Sequence, residues 1–294
     1  MTLNDMVKSC VSKASGAVLL SMLMMDLSLQ LVKVLPVENM AAGRLVSILA
    51  SLIMFEVIYG KDISLRDITK TNGRITVGTF VLCFFVFYML QLPFSILNLS
   101  MEKLFNLCGF TLRLGMELSL AGAGSVVEGL YVCLAAPIIE ELLYRGFILK
   151  SLKKYGECFA IVISSVFFGL MHTNLTQSVF AFFAGMVLAY VAIRYSVKWS
   201  ILMHMINNLV MGVGVSLISD RFFPDLKNLI TYIIFIIFFL AGLAIILKSR
   251  NKIRSYVMDN KTKQGLYKAA FSSKAFIVFL IVSVVGAFSV VRRI

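Results

Sequence analysis

The sequence predicts an all-α fold: a polytopic transmembrane helical bundle of about eight or nine spans, with residues 1–294 making a single transmembrane domain. Three observations carry this. Hydrophobic residues make up 60% of the 294-residue chain and the mean hydropathy is +0.92, whereas a soluble domain is roughly 45–50% apolar even with glycine counted. The excess falls into blocks of roughly 17–25 residues, the length a helix needs to cross the hydrocarbon core. The basic residues, which set a formal net charge of +13, gather in alternate loops, as a positive-inside topology requires. A soluble bundle would need polar helix faces, and segments such as LITYIIFIIFFLAGLAIIL (229–247) have none.

In chain order the apolar blocks are 16–35, 42–60, 76–98, 122–149, 158–172, 177–194, 199–219, 228–247 and 273–291. The first runs past the length of a signal-peptide core and no A-x-A-like cleavage site follows it, so it is expected to stay as a helix. Basic loops follow the second block (Lys61, Arg66, Lys70, Arg74), the fourth (Lys150, Lys153, Lys154), the sixth (Arg194, Lys198) and the eighth (248–274). The loops near 36–42, 99–120, 172–177 and 219–228 are neutral or mixed. This places the N-terminus in the cytoplasm and the C-terminus outside, where Arg292 and Arg293 fit poorly. The same alternation accounts for the positive charge without nucleic acid.

The stretch 99–121 mixes Glu102, Lys103, Arg113 and Glu117 with apolar residues and is expected to form an interfacial helix. The polar segment 248–274 is too short for a core of its own and suits an anionic inner leaflet. The five cysteines show no close-set metal spacing and read as small buried hydrophobes.

Polar residues within the apolar blocks carry the chemistry. In AAPIIEELLYRGFIL (135–149), Glu141 and Arg145 stand i,i+4 on one helix face and can pair. Glu140 points about 100° away, without an obvious partner. Pro137 is placed to bend this helix and free backbone groups near the pair. SSVFFGLMHTNL (164–175) ends a block with His172, and WSILMHMINNLVMG (199–212) sets His204 and Asn208 on one face with Asn207 beside them. A lone intramembrane histidine is often a helix-packing hydrogen bonder; both histidines of the chain, a glutamate pair and an asparagine on three blocks are not so explained.

The set suits peptide or ester hydrolysis. Glu140 is the candidate general base, with His172 sharing the proton of the attacking water. His204 and Asn208 are candidate donors to the oxyanion, and Glu141 with Arg145 holds the helix and sets the field. Glu140, His172 and His204 also make a candidate zinc set with water as fourth ligand, although H-E-x-x-H is absent. No cofactor and one zinc ion both remain open.

Three motifs occur in order: E-E-x-x-x-R (Glu140, Glu141, Arg145), F-x-x-x-H (Phe168, His172) and H-x-x-x-N (His204, Asn208). In them the chain resembles the CPBP family, the CAAX-protease and bacteriocin-processing (Abi) intramembrane endopeptidases, over about residues 122–215. The resemblance implies a catalytic core there, acting on a peptide or membrane protein. It implies that Glu140 and His172 activate water, that His204 and Asn208 form the oxyanion hole, and that Glu141 and Arg145 support them. Some accounts of the family assign a metal instead. It also implies two alternatives: a non-catalytic bacteriocin-immunity or sensor-partner protein of the same fold, and a sensor kinase or peptide exporter as partner. The Lys-, Ile- and Phe-rich, proline-poor composition points to a multi-pass protein of a bacterial cell membrane. A proton-coupled carrier is the remaining rival, but no repeated half carries a second polar set.

Overall fold

The computed structural model describes residues 1–34, 40–114, 126–214, 222 and 224–294. They fold almost wholly into helices: α1 (Leu3–Val34), α2 (Met40–Tyr59), α3 (Leu65–Thr69), α4 (Val77–Tyr88), α5 (Gln91–Leu107), α6 (126–153), α7 (Glu157–Leu170), α8 (Leu175–Arg194), α9 (Val197–Asn207), α10 (Lys227–Asp259), α11 (Leu266–Phe271) and α12 (Lys274–Ser289). Beside them, β1 (Phe110–Thr111) and β2 (Arg292–Arg293) pair antiparallel. The Ile294 N–H extends this ladder by donating to the Gly109 carbonyl at 3.0 Å. The two C-terminal arginines are thereby fastened beside the turn that ends α5.

Among the described residues four helices are long and apolar enough to cross a membrane: Leu3–Ser28, Val77–Leu107 (α4 and α5 running together), Leu175–Arg194 and Pro224–Asp259. This corrects the expected eight or nine spans. The other apolar blocks fall short for particular reasons. Helices α7 and α12 have 14 and 16 residues, so α7 rises about 21 Å against a hydrocarbon core of about 30 Å. The start of α2, at 40–42, is not described in full, so this block stands outside the count. Helix α6 is broken by π-helical turns. The start of the 122–149 block, the end of the 199–219 block and Glu117 lie outside the described residues. Four such helices support a membrane-associated, multi-pass protein.

Helix α10 shows how the membrane part and the basic part join. Leu229, Ile233, Ile237 and Leu240 stand exposed along it, as lipid-facing side chains do. The same helix then continues without a break through Lys248, Arg250, Lys252 and Arg254.

The core gathers α1, α2, α6, α7 and α8 around Phe55, Tyr59, Phe147, Phe159 and Phe167, all essentially without exposure. Helices α7 and α8 pack closely, and glycines permit it: a Cβ on Gly169 would stand 2.7 Å from the Ser178 carbonyl oxygen. Small residues at a crossing let two backbones approach in this way. Between these helices Thr173 takes φ +46°, rare for a β-branched residue, and Asn174 caps α8 by accepting from the Gln177 N–H. The tight reversal leaves His172 at the end of α7.

Candidate active site

Helix α6 carries the acidic pair and is not a regular α-helix. Its turns at Tyr131–Ala135 and Leu142–Ile148 are π-helical, flanking the α-helical segment Ala136–Glu141. π-turns are rare and recur at functional sites. The first has a local cause and consequence. The Ala136 N–H bonds the Tyr131 carbonyl, five residues back; in the same register the next donor, to Val132, would come from Pro137, which has no N–H. The Val132 carbonyl instead accepts from the Asn208 side-chain amide at 2.9 Å.

The two glutamates differ sharply. Glu141 is fully buried and Glu140 keeps 22% of its side chain exposed. Glu141 Oε1 meets Arg145 Nη1 at 3.0 Å and His204 Nδ1 at 3.1 Å, while its Oε2 accepts from the Ser200 hydroxyl at 2.9 Å. A carboxylate in ion-pair contact with a guanidinium acts as an acceptor, so His204 presents a hydrogen on Nδ1 to Glu141. That turns Nε2 toward Glu140 Oε2, 4.0 Å away, a separation that a bridging water can span. Glu140 makes no hydrogen bond among the described residues.

Arg145, also fully buried, donates from Nη2 to the Gly185 carbonyl at 3.3 Å and lies over the Phe168 ring at 4.0 Å. A Cβ on Gly185 would stand 3.1 Å from Arg145 Nη2 and 3.2 Å from Ser165. Gly185→Ala should therefore destabilise by about 1–3 kcal/mol, as overpacking does. Thermal unfolding in detergent checks this, and an unchanged midpoint would show that Arg145 can move aside.

Phe168 joins the two histidines. Its ring meets His172 edge-to-face at 5.0 Å and His204 at 5.8 Å. His172 Nδ1 lies 2.8 Å from the Phe168 carbonyl, which can only accept; the hydrogen is therefore on Nδ1 and Nε2 is left as the basic nitrogen. Helix α9 brings in Asn208 at its end, held in a chain of amides. Buried Gln91 donates to Asn207 at 3.1 Å, Asn207 to Asn208 at 3.1 Å, and Asn208 to Val132. One Asn208 N–H is thus engaged and its second is available.

Glu141, Arg145 and His204 come into direct contact, Glu140 stands 4.0 Å from His204, His172 joins them through the Phe168 ring, and Asn208 is tied to the π-turn of α6. Ser200 and Gln91 escaped the sequence reading. Ser200 stands four residues before His204, the spacing that puts both on one helix face, and that was its available signal; Gln91 had none. Ser200→Ala should cost about 1.5–3 kcal/mol, the range for a hydrogen bond to a charged group, read as the difference in unfolding free energy. A cost near zero would mean that Oε2 finds another donor.

The metal alternative fits less well. Among the described residues no group of three or more His, Cys, Asp or Glu side chains is arranged to hold an ion. Glu140, His172 and His204 do not converge as three ligands, and no step is derived through a metal.

Residues 122–210, under half of the chain, match the family model described as Type II CAAX prenyl endopeptidase Rce1-like. The chain carries an Rce1-like domain of the CAAX-protease clan. No curated protein and no solved structure matches the chain. The Rce1-like domain begins just before α6 and reaches the π-helical turn after α9, so it contains the Glu/His cluster and both asparagines but not Gln91.

Proposed function

We propose that the protein is an intramembrane endopeptidase that hydrolyses a peptide bond in a membrane-associated peptide or protein, its basic loops facing the cytoplasm. The observation that carries this reading is the asymmetry of the acidic pair. Glu141 is consumed in holding Arg145, Ser200 and His204, whereas Glu140 keeps an unbonded, half-buried carboxylate beside a histidine nitrogen.

On this reading Glu140 takes a proton from water, with His172 Nε2 assigned as a second proton acceptor, and the water oxygen bonds to the scissile carbonyl carbon. The carbonyl oxygen becomes an oxyanion, to which Asn208 donates from its second N–H and His204 from Nε2 when that nitrogen carries a hydrogen. Collapse of the adduct breaks the carbon–nitrogen bond, and the proton held by Glu140 passes to the leaving amine.

The test compares membrane-protein termini and released peptides by mass spectrometry in source cells making wild-type protein or Glu140→Gln at equal levels. A terminus or peptide lost only in the variant supports the endopeptidase and identifies its substrate. No changed terminus, with the protein's phenotype intact, replaces it with a binding or immunity role.

A further inference from the structure

Beyond Arg145, α6 runs on into Lys150, Ser151 and Lys154. There it faces the first half of α1 and the end of α2 across a cleft of about 420 Å³. Lys13, Lys150 and Lys154 line this cleft, together with the hydroxyl-bearing Ser9, Ser151 and Tyr59. Asp62, the one acid in its lining, sits at the open edge and pairs with Lys13 at 2.8 Å.

The other two lysines have no carboxylate at ion-pair distance among the described residues. Lys150 donates to the Asp67 backbone carbonyl, and the Lys154 ammonium lies 5.3 Å from the centre of the Tyr155 ring. Burial holds the Lys150 ammonium below its ordinary pKa; Asp67 pulls the other way, and Lys153 and Lys70 add repulsion. Tyr59 adds an independent observation. Its hydroxyl is buried, with the residue 1% exposed, and has Ser151 as its polar neighbour without a hydrogen bond of full geometry among the described residues, although buried polar groups are nearly always bonded.

Cationic and hydroxyl-bearing side chains along one cleft suit an oxyanion with several acceptor atoms. The position narrows the class. Just past Lys13, α1 enters its apolar stretch, ASGAVLLSML, so the cleft lies where the membrane meets water. Basic pockets between helices at that level take phosphate headgroups.

We propose that this cleft binds a phosphate-bearing anion, with Lys13, Lys150 and Lys154 neutralising its charge and Tyr59 and Ser151 donating to its oxygens. A lipid headgroup and free phosphate share this chemistry. Calorimetric titration of the purified full chain in neutral detergent separates them, using short-chain phosphatidylglycerol, inorganic phosphate and short-chain phosphatidylcholine as probes.

Saturable binding of about one phosphatidylglycerol per chain is expected, weakened about thirtyfold in Lys150→Gln/Lys154→Gln and unchanged in Lys198→Gln, which alters an exposed lysine outside the cleft. Phosphatidylglycerol binding well above inorganic phosphate assigns the cleft to a lipid; equal binding of the two assigns it to free phosphate. Equal binding of phosphatidylcholine, unchanged binding in the double variant, or no saturable binding of any probe overturns the proposal. Tyr59→Phe is titrated alongside and decides the matter if the double variant does not fold: it must weaken binding of the anionic probe, and wild-type affinity there overturns the proposal.

Discussion

Arg145→Met should destabilise the protein by about 3–5 kcal/mol, the range found when one member of a buried ion pair is removed. The size follows from what is left behind. Glu141 has no exposure and would keep its charge with only His204 and Ser200 to answer it. The Gly185 carbonyl would lose its side-chain donor and the Phe168 ring its cation. Methionine fills much of the volume, so the loss reports charge rather than a cavity. Denaturant unfolding in detergent measures it. The double variant Glu141→Gln/Arg145→Met should recover part of the loss, because a neutral amide replaces the stranded carboxylate. A loss below about 1 kcal/mol, typical of exposed pairs, would mean that water reaches this pair.

Glu140→Gln should have the opposite profile. Hydrolysis should fall by about 10²–10⁴-fold, the usual contribution of a general acid–base group, while the unfolding free energy stays within about 0.5 kcal/mol. Glu140 makes no hydrogen bond among the described residues, and glutamine matches its shape, so little folding energy depends on its charge. Retained hydrolysis would remove Glu140 from the chemistry. A collapse in stability would show instead that it is structural, like its neighbour. With the expected outcome, neighbouring acids on one turn divide the work, one holding the site together and the other acting in it.

Much of this division was legible in the sequence. The i,i+4 spacing of Glu141 and Arg145 fixes which acid can pair with the guanidinium, because the helical repeat decides it without knowledge of the fold. His204 and Asn208 could be placed on one face by the same rule. The Glu141–His204 contact could not, since it joins helices 63 residues apart in sequence and depends on how α6 and α9 cross. Phe168 appeared as a motif residue, but not as the ring between two histidines and a guanidinium.

Span number was the least legible quantity. Hydropathy reports that a segment avoids water, and it does not separate a full crossing from a 14-residue helix buried among others, such as α7. Residual hydropathy cannot reveal π-turns either. One extra residue per turn changes no composition, yet it alters which carbonyls of α6 have partners.

Pro137 makes the last point concrete. Proline is usually discussed for the bend it imposes, but here its influence comes through a hydrogen atom it does not possess. Because no N–H stands at position 137, the Val132 carbonyl is open to a side chain from another helix, and Asn208 answers it. An amide at the end of α9 is therefore oriented by an omission in α6. Any residue other than proline at this position would introduce a competitor for that carbonyl, without a single atom of the asparagine itself being changed.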